Sequence, residues 1–102
     1  MDTYEAIADP TRRRIIDLLG HDPLNAGTIA AAFAVSRPAI SRHLRVLRET
    51  GIVSVEEEAQ QRIYHLNPER LSEVAGWIAR YTTFWDAHLG RLATHLESGA
   101  TP

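Results

Sequence analysis

The 102-residue chain contains no cysteine. Disulfides, thiolate metal ligands and thiol redox sensing are therefore excluded. Lysine is also absent, so all eleven basic residues are arginine. No apolar run approaches the roughly 18 residues of a membrane span. The start, Met-Asp-Thr-Tyr-Glu, lacks the basic and apolar regions of a signal peptide. Together with the missing cysteines, this leads us to expect a cytoplasmic protein. There is no Gly-rich phosphate loop, and no Ser/His/Asp or paired-carboxylate grouping at a recognisable spacing. The five histidines are scattered over separate segments. Neither an enzyme nor a cofactor is expected. The length suits one small domain, with part of its apolar surface covered by a second copy.

What is present is an uneven charge distribution. The formal net charge is −2, which argues against a nonspecific polyanion binder. Residues 36–51, however, hold four Arg and one Glu. Ser36 is a good N-cap, Pro38 suits a first turn, and Gly51 suits the position just past a helix end. Ile40, Leu44 and Leu47 form one apolar stripe, and Arg37, Ser41, Arg42, Arg45 and Arg48 lie largely outside it. A short helix, buried on one side and cationic on the other, is what a DNA major groove accepts.

The flanking segments give that helix a context. A short helix is expected near Tyr4–Ala8. Asp9-Pro10 then opens a helix that ends near Gly20, with Ile15, Leu18 and Leu19 inward. His21-Asp22-Pro23 reads as a loop. Asn25 caps a helix from Ala26 to about Ala34, with Ile29, Ala30 and Phe33 inward. Joined tightly to the cationic helix, it makes a helix-turn-helix over about 25–50. Beyond Gly51, Ile52, Val53 and Val55 and then Ile63 in Arg62–Leu66 read as two strands of a hairpin over about 52–66, with its tip near 58–60. No Asn-Gly or Asp-Gly marks the turn, so the register stays open.

Asn67 and Pro68 restart a helix that extends to about residue 97. Leu71, Val74, Ile78, Tyr81, Trp85, His88 or Leu89, Leu92 and Leu96 follow a heptad-like spacing suited to pairing with a second copy. Gly76, Thr82-Thr83 and Gly90 are candidate bends. Residues 98–102 read as a flexible tail. The expected architecture is mainly α with a small β-hairpin. It is one winged helix-turn-helix domain over residues 1–97, with N- and C-terminal dimerisation helices.

Several stretches carry a family resemblance. Ala8-Asp9-Pro10-Thr11-Arg12-Arg13-Arg14-Ile15, Ser41-Arg42-His43-Leu44-Arg45-Val46-Leu47, Gly51-Ile52-Val53 and Arg62-Ile63-Tyr64-His65-Leu66 resemble the ArsR family of bacterial transcriptional repressors. The resemblance covers roughly residues 4–97. The stretch Arg80-Tyr81 with Phe84-Trp85, Leu89 and Leu92 is similar to its non-metal branch. The resemblance implies a homodimeric repressor on a palindromic operator in double-stranded DNA. It places Ser36, Arg37, Ala39, Ser41 and Arg42 towards bases, Arg45 nearer phosphates, and Arg62 on the wing. Tyr4 and the C-terminal seam would pair across the dimer axis.

Family wings usually carry glycine and basic residues near the tip. Here Glu56-Glu57-Glu58 would repel phosphates. Either those acids point away, or the wing contributes only through Gln60, Gln61 and Arg62. Arg12, Arg13 and Arg14 are read as surface or intersubunit partners of acids. His43, beside Leu44, is read as a structural histidine ahead of a phosphate ligand. No metal site is expected. One family site type needs cysteines, and the other needs an Asp-x-His followed by a second His ten residues on. Asp86 and His88 match only its first half, since His95 comes too early. The aromatics Trp77, Tyr81, Phe84 and Trp85 are read as interface core. The competing reading is a protein-interaction winged helix that does not itself read DNA.

Overall fold

The computed structural model describes the backbone of residues 1–99 and the side chains of residues 1–91. The order is α1 (Thr3–Ile7), α2 (Pro10–His21), β1 (Leu24–Asn25), α3 (Ala26–Ala31), α4 (Arg37–Glu49), β2 (Val53–Glu58), β3 (Gln61–Leu66), a 3-10 turn (Pro68–Leu71) and α5 (Ser72–Gly99). Two compact units result: residues 1–71, and the segment from Ser72 onward.

Helix starts follow capping chemistry. The Asp2 carboxylate accepts from Glu5 N at 2.8 Å, and the Glu5 carboxylate accepts from Asp2 N at 3.3 Å, a reciprocal capping box on α1. Asp9 Oδ1 accepts from Arg12 N at 3.0 Å at the head of α2, with Pro10 in the first turn. Asn25 Oδ1 accepts from Thr28 N at 2.8 Å, and Ser36 Oγ from Ala39 N at 3.2 Å. Each bond satisfies a helix N–H that has no partner within the helix. At the end of α4 the chain turns through Gly51 at φ +80°. A side chain there would be strained by that φ, and its Cβ, 2.9 Å from Arg70 Nε, would make the Arg70 side chain move aside.

The first unit packs around Ile15, Ile29, Ile40, Leu44, Leu47 and Ile52, all 2% exposed or less. Each such side chain contributes about 1.5–3 kcal/mol by leaving water. The stripe on α4 is thus the one its sequence spacing indicates. Tyr64 and Val53 bring the sheet onto the same core, and Leu71 packs against it from the 3-10 turn.

Three features differ from the sequence expectation. First, the wing has a third strand, and the sheet order is β1-β3-β2. Leu24 pairs with Tyr64 and Asn25 with Ile63. Two residues are too short to show a period-two pattern, so the sequence carries no strand signal there. Second, α3 ends at Ala31 rather than near Ala34. Third, Asn67 does not cap a helix with its side chain. Its Nδ2 donates to Gly51 O at 3.0 Å and its Oδ1 accepts from Ser54 Oγ at 3.4 Å. The chain then enters a 3-10 turn, and the α-helix starts only at Ser72.

The hairpin register is definite: Val53 opposes Leu66, Val55 opposes Tyr64, and Glu58 opposes Gln61. Only Ala59 and Gln60 remain for the turn, with φ +48° and +71°. Two consecutive positive φ values match the twist of a two-residue hairpin loop. The second unit is the single helix α5, 28 residues long, about 42 Å at ~1.5 Å per residue. It runs through Gly76, Thr82, Thr83 and Gly90 without a break.

Candidate nucleic-acid interface

The cationic face of α4 opens onto a groove shared with the wing. Ala26, Ser41, Arg42, Leu44, Arg45, Arg48, Arg62 and Tyr64 line a depression of about 300 Å³. Ser41, Arg42, Arg45 and Arg62, marked from the sequence, are brought together here. Arg48, whose role the sequence left open, joins them. Arg45 makes a loose 3.9 Å contact with Glu49, both exposed. Such a pair contributes little and leaves the guanidinium free to exchange partners. Four arginines line one groove, and guanidinium donors are of the kind that phosphates and guanine edges accept.

Ser36, Arg37 and Ala39 lie instead at the N-terminal end of α4. Ser36 Oγ accepts the Ala39 N–H, yet its hydroxyl proton stays available to an acceptor. The Arg37 side chain extends towards α3, with Nη2 about 3.9 Å from where a Cβ on Gly27 would sit. Ala39 is half-buried.

The register resolves which way the wing acids point. Residues directly opposite in an antiparallel pair share a face, and the faces alternate along each strand. Val53, Val55, Glu57, Arg62, Tyr64 and Leu66 therefore share the face turned towards the core and α4. Glu56 and Glu58 take the other face, with Ser54, Ile63, His65 and Gln61. There Glu56 Oε2 lies 3.6 Å from His65 Nε2. Only Glu57 stands on the groove face, opposite Arg62. Gln61, the first residue past the wing turn, is held by β1's end: its Oε1 accepts from Asn25 Nδ2 at 3.4 Å. No sequence signal marks Asn25 beyond its capping role, because its second partner lies 36 residues away.

Within the chain, the arginine run of α2 turns to backbone carbonyls and rings. Arg12 Nε donates to Ala6 O at 2.6 Å and Nη2 to Glu5 O at 3.2 Å. Arg13 Nη1 donates to Ile7 O at 2.7 Å. Arg14 stacks over Phe33, 4.9 Å from the ring centre. The reason lies in the C-terminal end of α1, whose carbonyls attract cations; Glu5 O also accepts the Ala8 N–H at 3.2 Å. Burial pushes the Asp9 carboxyl up, but the Arg12 backbone N–H, His43 and the Arg12 charge outweigh it. Its pKa ends below the ordinary value.

On α5, Trp77, Ile78, Tyr81, Phe84, Trp85 and Leu89 are about half exposed or more. Trp77 meets Tyr81 edge-on at 5.4 Å, and Phe84 stacks on His88 at 6.2 Å. Of the seam residues marked from sequence, Tyr4 on α1 and Val74 are half-buried. Leu71 packs on the core of its own chain. The side chains of Leu92, His95 and Leu96 lie outside the described residues. Among the described residues no three His, Cys, Asp or Glu side chains cluster as metal ligands. No described helix is long and apolar enough to cross a membrane.

Comparison with known proteins agrees with this geometry. The helix-turn-helix domain family matches residues 7–56. The transcriptional repressor SdpR of Bacillus subtilis is 36% identical over 88 residues, covering 86% of this chain and 98% of its own. The HTH-type transcriptional regulator Rv2034 of Mycobacterium tuberculosis is 39% identical over 95 residues, covering 93% and 86%. A crystal structure of a possible transcriptional regulator for arsenical resistance superposes with a TM-score of 0.70 at 39% identity, covering 92% of this chain and 95% of that one. That of an ArsR-family transcriptional regulator superposes with a TM-score of 0.71 at 25% identity, covering 81% and 86%. A cationic α4 seated against a short wing, in a chain this similar to known regulators, has one reading: the protein belongs to the ArsR family of winged helix-turn-helix, DNA-binding transcriptional regulators.

Proposed function

We propose that the protein is a homodimeric repressor that occupies a palindromic operator. Arg42 and Ser41 of α4 contact base edges, with Arg37, Ala39 and Ser36 at the helix's leading end. Arg45, Arg48 and Arg62 bind the flanking phosphates, and Gln61 adds a contact near the wing tip. The observation that carries this is the groove in which Arg42, Arg45, Arg48 and Arg62 converge. A dimer is supported by the apolar row on α5. Exposed large side chains from Trp77 to Leu89 form a patch that soluble proteins cover with a partner. Pairing two copies also gives two reading helices, which a palindrome requires.

Selection of bound duplexes from a random pool at stated salt tests this reading. The expected product is a palindrome with half-sites about one helical turn, ~34–36 Å, apart. Arg42→Ala should weaken binding to the selected duplex and relax preference at one position of each half-site. Leu89→Asp should shift the protein from dimer to monomer in sedimentation. Selection of a single asymmetric half-site by a monomer would overturn the dimeric reading.

A further inference from the structure

We infer that His43 is a positioning residue for DNA reading, acting through Arg12 rather than by touching DNA. The two side chains lie 31 residues apart in sequence, yet Arg12 Nη1 stands 3.1 Å from His43 Nδ1. Guanidinium has only donors, so Nδ1 must be the acceptor and the ring proton sits on Nε2. The same guanidinium donates through Nε to Ala6 O and through Nη2 to Glu5 O. One half-buried arginine of α2 thus ties the end of α1 to the middle of α4.

The placement of His43 on α4 explains why such a tie matters. At about 100° per residue, Ser41, Arg45 and Arg48 fall on one flank of the buried stripe and His43 on the other. The first flank faces the wing groove. The buried apolar stripe sets the roll of α4 by packing, within the small play that neighbouring side chains leave. A directional bond on the flank opposite the groove takes up that play and fixes the aim of Arg42 and Ser41. Side chains that read bases tolerate little error in aim.

Two isosteric substitutions separate this role from direct phosphate contact. His43→Asn keeps an acceptor near the Nδ1 position, and His43→Gln keeps a polar group near Nε2. We expect His43→Ala to weaken binding to the selected duplex by about tenfold, the size of a lost charge-assisted bond. Affinity for random duplex and the salt slope should stay unchanged. His43→Asn should restore most of the loss and His43→Gln little of it, at equal melting temperatures. Arg12→Met should lose at least as much as His43→Ala, because it also frees the end of α1, and the double variant should be no worse than Arg12→Met alone. Rescue by Gln instead of Asn, or a salt slope reduced by about one in His43→Ala, would make His43 a phosphate ligand and overturn the inference. So would unchanged affinity in His43→Ala. The inference rests on α4 being the reading helix, and Arg42→Ala measured alongside tells the two apart. If Arg42→Ala loses affinity while the His43 series stays flat, only the positioning role fails; if Arg42→Ala binds normally, both fail.

Discussion

Asn25 divides its amide between two elements: Oδ1 accepts from Thr28 N at the head of α3, and Nδ2 donates to Gln61 Oε1 on the wing. The first bond decides the second. With Oδ1 committed to the helix, Nδ2 must face the wing, and Gln61 must answer with its carbonyl. The Gln61 amide protons then take no part in this bond. Asn25→Ser should keep the cap and lose the wing tie. Melting temperature should change little, while amide exchange at Gln61 and Arg62 speeds up. Asn25→Ala should lose both, with about 1 kcal/mol less stability from the missing cap. Equal exchange rates in wild type and Asn25→Ser would refute the tie.

Ala59 and Gln60 hold positive φ angles that cost a non-glycine residue roughly 1–2 kcal/mol each. Asn and Gly occupy such turns with far less strain. The double substitution Ala59→Asn with Gln60→Gly should therefore raise stability by about 1 kcal/mol in urea unfolding, with the slope unchanged. A fall in stability would mean that the turn is not the two-residue loop described.

The Asp9 carboxyl has a lowered pKa in the folded chain. A carboxylate with a lowered folded pKa stabilises the fold fully above its unfolded value, about 4. That contribution is lost as pH falls through the folded value, which lies lower. Asp9→Asn keeps a capping oxygen but removes the charge. Wild type should melt higher than Asp9→Asn at pH 7, and the gap should close as the pH is lowered below about 4. A gap that stays constant down to pH 2.5 would show that the charge is not its source.

The wing acids should be unequal. Glu57 stands on the groove face opposite Arg62, and Glu56 and Glu58 stand on the other face. Glu57→Gln should tighten DNA binding by a few-fold at low salt, with the gain shrinking as salt rises. Glu56→Gln should change affinity less. Fluorescence anisotropy across a salt series measures both, and a larger gain from Glu56→Gln would contradict the assigned faces.

Much of this molecule is legible in its sequence, because the deciding forces are local. Asp9, Asn25 and Ser36 cap helices through atoms three residues away. Gly51 ends α4 because its own φ allows it, and Ile40, Leu44 and Leu47 mark the buried face by helical spacing alone. The cationic character of α4 is likewise a property of that segment. What tertiary structure decided are the contacts whose partners are distant in the chain. Leu24 and Asn25 become a strand only because Tyr64 and Ile63 lie beside them. Arg12 turns to the carbonyls of α1 and to His43, a partner 31 residues away that no local pattern marks. The wing faces of Glu56, Glu57 and Glu58 depend on a register set by a two-residue turn that carries no glycine. Capping and amphipathic spacing act within a turn or two of helix, so composition and order reveal them. Pairing register and side-chain bridges require the folded chain to bring their partners together.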